Sequence, residues 1–107
     1  MYNFTLHLNI MHAINTHNNI MPGDSLTFLD GALICFVKSF QDNNQPFYIS
    51  NKELANIFIA NESTIQRSIN KLTRIGLIQS EKLYLGKQPR RYLTYDKGKL
   101  QELLDLK

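Results

Sequence analysis

Ser63, Arg67, Asn70 and Arg74 follow one another at intervals of three or four residues, with Gln66 and Lys71 flanking them. A guanidinium in this company can donate two hydrogen bonds to guanine N7 and O6. The carboxamides can pair with adenine N6 and N7, a Thr64 methyl can meet thymine, and lysines can meet phosphate oxygens. The spacing places these groups together only if residues 61–76 are helical, and the apolar positions predict that they are. Ile65, Ile69 and Leu72 recur at i, i+4 and i+7, with Gly76 continuing the same line, a single stripe at helical periodicity. Asn61 (or Ser63) is a suitable N-cap and Gly76 sits where a left-handed C-terminal cap is wanted. An ordinary solvated surface helix carries the same pattern, so the neighbouring elements decide between the two readings.

Two further groups of residues carry compatible chemistry. Lys82, Lys87, Arg90 and Arg91 gather around the turn Gly86-Lys87-Gln88-Pro89. They are suited to a phosphate backbone or a minor groove, or to keeping an exposed strand edge from pairing with other chains. Ser50, Asn51 and Lys52 open a short helical pattern, where free backbone amides can donate to a phosphate or simply be capped by Ser50. The basic excess is local: residues 62–91 hold seven Lys and Arg against Glu62 and Glu81, a net of +5, whereas residues 1–45 hold Lys38 against Asp24, Asp30 and Asp42.

The elements that must position these groups read in order. Alternation from Tyr2 to Ile10 predicts an N-terminal strand, and Met21 to Asp24 a turn. Thr27 and Asp30 form a capping box ahead of Leu29, Leu33, Phe36, Val37 and Phe40, the central core helix. Gln41 to Pro46 is a polar loop and Phe47 to Ile49 a short strand. A second capping box, Ser50 with Glu53, opens a helix from Asn51 to Phe58 with Leu54, Ala55 and Phe58 inward. Ile59-Ala60-Asn61 is a tight turn into the helix described first, an arrangement in which one helix braces and the next reads. Residues 77–80 and 91–95 read as two strands joined by a loop over 81–90, with Pro89 removing one donor from the ladder. Tyr84, Tyr92 and Tyr95, at strand positions, are expected to pack on the core. Leu100, Leu103 and Leu104 stripe a short last helix.

This order, and in particular the run FYISNKELANIFIANESTIQRSINKLTRIGLI followed by RRYLTY, resembles the winged helix-turn-helix modules of phage, plasmid and integrative-element proteins. The resemblance implies an α+β, mostly α fold: a three-helix core with a β-hairpin wing, an extra N-terminal strand or segment and a short C-terminal helix. It divides one domain of 107 residues into an extension (1–24), a winged-helix core (25–95) and a C-terminal helix (96–107). It implies duplex DNA binding, with residues 62–75 in the major groove and 81–91 as a basic wing. Ser63, Thr64, Gln66, Arg67, Asn70, Lys71 and Arg74 are then the groove-facing set, Lys71 and Arg74 meeting phosphates. Lys82, Lys87, Gln88, Arg90 and Arg91 belong to the wing, and Ser50, Asn51 and Lys52 lie near a phosphate. The role implied is a transcriptional regulator or replication accessory factor of a mobile genetic element. An origin-binding subunit of a replication initiator or replisome organiser is an alternative. A winged helix docking an acidic protein is another.

Other classes are disfavoured. No paired acids, Gly-rich phosphate loop or nucleophile with a local base suggests an enzyme, and no cofactor or small-molecule substrate is implied. His7, His12 and His17 are spaced by five, which puts no pair on one helical turn, so no metal site is expected. Cys35 sits in the apolar run Ala32 to Val37 and is expected to be a buried core residue. The first 37 residues hold no Lys or Arg, and no apolar run approaches the ~20 residues of a membrane span. A cytoplasmic protein is the expectation, and a homodimer through the leucine stripe or the first strand is open.

Overall fold

The computed structural model describes residues 9–12, 26–86 and 88–105. Thr27 and Asp30 close the expected capping box: the Thr27 amide donates to Asp30 Oδ2 at 2.8 Å and the Asp30 amide to Thr27 Oγ1 at 3.3 Å. They start α1 (Phe28–Asp42). Every residue from Asp30 to Val37 is buried, so α1 runs through the middle of the molecule with neighbours on several sides. Cys35 is among them, as expected. Phe36 is the centre of an aromatic nucleus, with the rings of Phe40, Phe47 and Phe58 edge-on at 5.6, 5.1 and 6.1 Å. Edge-to-face packing of this kind adds specific geometry to the burial of large apolar area.

Around α1 the chain places α2 (Asn51–Phe58), α3 (Glu62–Arg74), β1 (Ile78–Leu85), β2 (Gln88–Tyr95) and α4 (Lys97–Leu104). The stripe of α3 is buried as its spacing requires, with Ile65, Ile69 and Leu72 all in the core. The expected strand at 47–49 reduces to one bridge, Phe47 to Leu93. The Leu93 amide donates to Phe47 O at 3.1 Å, but the Ile49 carbonyl is taken by the Arg91 guanidinium at 2.8 Å, so no ladder continues. Ser50 caps α2 by accepting from the Glu53 amide at 3.2 Å, while the reciprocal half of the expected box is replaced by a Ser50 hydroxyl to Glu53 carboxylate bond.

The hairpin is longer than its sequence suggests. Eight pairs run from Ile78↔Tyr95 to Leu85↔Gln88, so most of the span 81–90, expected as a loop, is strand. Pro89 pairs with Tyr84 without breaking the ladder. The Leu93 and Tyr95 amides donate away from β1, to Phe47 O and to Gln41 Oε1. Alternate residues of a strand share that direction, so the donor Pro89 lacks belongs to the outer edge. Gln41 closes this edge near the core, giving its side-chain amide to Tyr95 O as well. These bonds and the Lys38–Asp42 ion pair carry α1 past the predicted break at Gln41. The Tyr95 hydroxyl donates to Asp42 at 2.9 Å, and burial together with that carboxylate pushes the phenol up to about 12.

At the N-terminal end the expected strand is replaced, in the residues described, by a helical turn. Residues 9–12 are helical, with Ile10 buried and Asn9 Oδ1 accepting from the Ile10 amide at 2.9 Å. The strand expected from Tyr2 therefore does not include Asn9 and Ile10, because that amide is satisfied locally instead of across a sheet; its earlier residues lie outside the described ones. Leu100 and Leu103 are buried in the chain's own core, so the stripe that raised a homodimer is used internally.

Both helices flanking the three-residue turn end on a left-handed residue. After α3, Gly76 (φ 86) is followed by bonds from its amide to Thr73 O and from Leu77 N to Leu72 O, at 3.1 and 3.0 Å, the pattern of a Schellman cap. After α2 the same role falls to Ile59 (φ 52), with Ala60 N donating to Ala55 O at 2.9 Å. A β-branched residue in this region costs about 1–2 kcal/mol, and at 93% exposure the Ile59 side chain gains little in packing. Ile59→Gly is expected to raise stability by about 1 kcal/mol, the relieved strain exceeding the added unfolded-state entropy. Urea unfolding checks this; a lowered midpoint would mean that the side chain has an unrecognised stabilising role.

Candidate nucleic-acid interface

The α3 helix begins at Asn61, whose Oδ1 accepts from the Thr64 amide at 3.0 Å and from the hydroxyls of Ser63 and Thr64 at 2.9 and 2.6 Å. Its outer face exposes Ser63, Gln66, Arg67, Asn70 and Arg74, with Thr64 half-buried. Arg67 Nη2 lies 3.4 Å from Thr64 Oγ1, and Gln66 Nε2 donates to Asn70 Oδ1 at 2.8 Å. No acidic side chain follows Glu62 along this helix. The polar face read from spacing is therefore the solvent face.

Lys71 stands apart from the rest of that set. Its ammonium lies 2.6 Å from Asp30 Oδ2, and Asp30 is 0% exposed. Ser68, buried on the same side of α3, donates its hydroxyl to Asp30 Oδ1. One carboxylate thus receives the Thr27 amide, a hydroxyl and an ammonium, the combination that makes a buried charge tolerable. Sequence reading missed this hub. Its one signal was Ser68 on the apolar line of α3, since a polar residue at a buried position calls for a partner. Above it lies a concavity of about 280 Å³ lined by Thr27, Leu29, Asp30, Thr64, Arg67, Ser68 and Lys71.

The hairpin and the start of α2 join this face through hydrogen bonds. Arg91 is half-buried on β2 and donates to Ile49 O and Asn51 Oδ1, and burial pulls its guanidinium below the ordinary arginine value. Asn51 in turn donates to Gln66 Oε1 at 2.6 Å. Arg90 lies 5.4 Å above the Tyr48 ring, which meets Tyr92 edge-on at 6.4 Å. These residues with Ser50 and Glu53 surround a shallow concavity of about 420 Å³, lined by Tyr48, Ser50, Asn51, Glu53, Arg90 and Arg91. Lys52 is exposed on the first turn of α2, and Lys82 is exposed opposite Arg91 in the ladder. The Lys87 position and the Gln88 side chain lie outside the described residues. Of the three tyrosines expected on the core, Tyr95 is buried, Tyr92 is half-buried and bonds Glu81, and Tyr84 is 69% exposed. Tyr84 stands on the outer half of the hairpin, opposite Pro89.

A buried helix, a bracing helix, a three-residue turn, a polar-faced helix and an antiparallel hairpin together define a winged helix-turn-helix. Residues 26–78 match a family described as a helix-turn-helix domain, a match that spans the three helices and ends at the first residue of the hairpin. It supports a DNA-binding module. Neither curated proteins nor solved structures give a match. Among the described residues no helix is long and apolar enough to cross a membrane.

Removing the Lys71 ammonium leaves Asp30 buried with its remaining charge uncompensated. Lys71→Ala is expected to cost about 3 kcal/mol of folding stability, read by chemical denaturation. An unchanged stability with a selective loss of DNA affinity would instead make Lys71 a phosphate contact.

Proposed function

We propose that the chain binds duplex DNA by laying the outer face of α3 in the major groove, as a transcriptional regulator or replication accessory factor of a mobile genetic element. The observation that carries this reading is the continuity of one basic, acid-poor face from α3 through the start of α2 to β2. Arg67, at its centre, has the reach and fork geometry to read a guanine edge, and the Gln66 and Asn70 amides, bonded to each other, lie beside it. Ser63 and Thr64, on the first turn, are placed for short hydrogen bonds to a base or the backbone. Arg74 at the far end, Lys52, Lys82 and Arg90 are assigned to phosphates, with the Asn51 and Lys52 amides at the positive end of α2. Lys71, held on Asp30, is assigned to bracing. A selected site that is palindromic would indicate a dimeric regulator, and an iterated one a replication origin.

Binding to random duplex should fall on the order of 10³-fold between about 50 and 200 mM salt for about six phosphate contacts. Arg67→Ala should relax preference at a single base pair, whereas Arg90→Ala should weaken every duplex alike and lower the salt slope by about one. Selection from random duplex and salt titration read these effects. No binding at low salt, or an Arg67→Ala profile identical to the parent's, would refute the assignment.

A further inference from the structure

Four side chains on this face form a directed chain of hydrogen bonds that begins on the hairpin. Arg91 donates to Asn51 Oδ1; Asn51 Nδ2 donates to Gln66 Oε1 at 2.6 Å; Gln66 Nε2 donates to Asn70 Oδ1 at 2.8 Å. The direction is imposed at its origin. A guanidinium has donors and no acceptor, so the Asn51 atom beside it is oxygen and the amide nitrogen points to α3. Each following carboxamide accepts with its oxygen and hands on a donor. What remains for the groove is one N–H of Gln66 and both N–H groups of Asn70.

We infer that Arg91 is a specificity-determining positioning residue: through Asn51 it fixes the Gln66 and Asn70 amides so that α3 presents hydrogen-bond donors. This rests on the proposed reading of α3 as the helix in the groove. Donors fit the acceptor edges of the major groove, guanine N7 and O6 or thymine O4. They fit poorly where the base itself donates, as at cytosine N4. The adenine pairing open to an isolated carboxamide is weakened too, because each amide oxygen already accepts from within the protein. Arg91 can act in this way without touching a base, being half-buried and anchored at the Ile49 carbonyl.

The test is selection from random duplex with the unaltered chain and with Arg91→Ala, Asn51→Ala and Asn51→Asp. Arg91→Ala and Asn51→Ala should relax preference about tenfold at the base pairs read by Gln66 and Asn70, with the salt slope little changed. Asn51→Asp is the sharper variant. A carboxylate there still accepts from Arg91 and suits a helix N-terminus, but it cannot donate to Gln66. Gln66 must then turn its nitrogen toward position 51 and its oxygen toward Asn70, which reverses the chain and leaves the Asn70 oxygen facing out. Preference at those base pairs should move toward adenine or cytosine. If the variants keep the parent's base profile and lose only overall affinity, Arg91 is a phosphate contact and the inference is overturned while the DNA reading stands. If the unaltered chain enriches no duplex, both fall.

Discussion

The Asp30 carboxylate is the constraint on which the orientation of α3 depends. It is fully buried, and an isolated carboxylate in that position would cost several kcal/mol. Three donors make it tolerable: the Thr27 amide that starts α1, and the Ser68 hydroxyl and Lys71 ammonium from α3. Because each donor must lie within hydrogen-bond reach, α3 can rotate or slide on α1 only by leaving the charge unpaired. The apolar stripe of Ile65, Ile69 and Leu72 supplies non-directional burial. The carboxylate supplies direction.

A fixed α3 matters because its outer face is joined to the rest of the molecule on the other side as well. The turn from Ile59 to Asn61 is short enough that the end of α2 sets the start of α3, and it is kept short with a strained isoleucine. The hairpin contributes through Arg91, which ties the Ile49 carbonyl and the Asn51 side chain to β2. Inner charge pairing and outer hydrogen bonding hold the same helix from opposite sides. Such preorganisation reduces the ordering that a duplex would otherwise have to impose on binding.

Local physics made much of this visible in the sequence. The Thr27 and Asp30 box, the Asn61 cap, the left-handed Gly76 and the stripe of α3 each depend on residues within about one or two turns of one another, which periodicity can register. The features that were not legible depend on distant partners or on the lack of burial. Asp30 meets Ser68 and Lys71 across 38 and 41 positions, and nothing local distinguishes its second oxygen from an ordinary cap. Residues 81–84, 89 and 90 are exposed on both faces of the ribbon, so burial imprints no alternation there. Their strand character comes from cross-strand pairing alone. Phe47 to Ile49 has strand composition, but Arg91 takes the carbonyl that a second rung would need. Gln66 and Asn70 were legible as exposed amides; their common direction was not, since it begins at Arg91, 21 positions beyond Asn70.

The most direct test of a duplex-binding face built from α3, the start of α2 and β2 is chemical-shift mapping of the labelled chain titrated with a selected duplex at low salt. Shifts should concentrate on the α3 backbone, the side-chain amides of Asn51, Gln66 and Asn70, and residues 89–91, leaving α4 and the turn at 43–46 unmoved. Shifts centred on α4 with the outer face of α3 unchanged would contradict it.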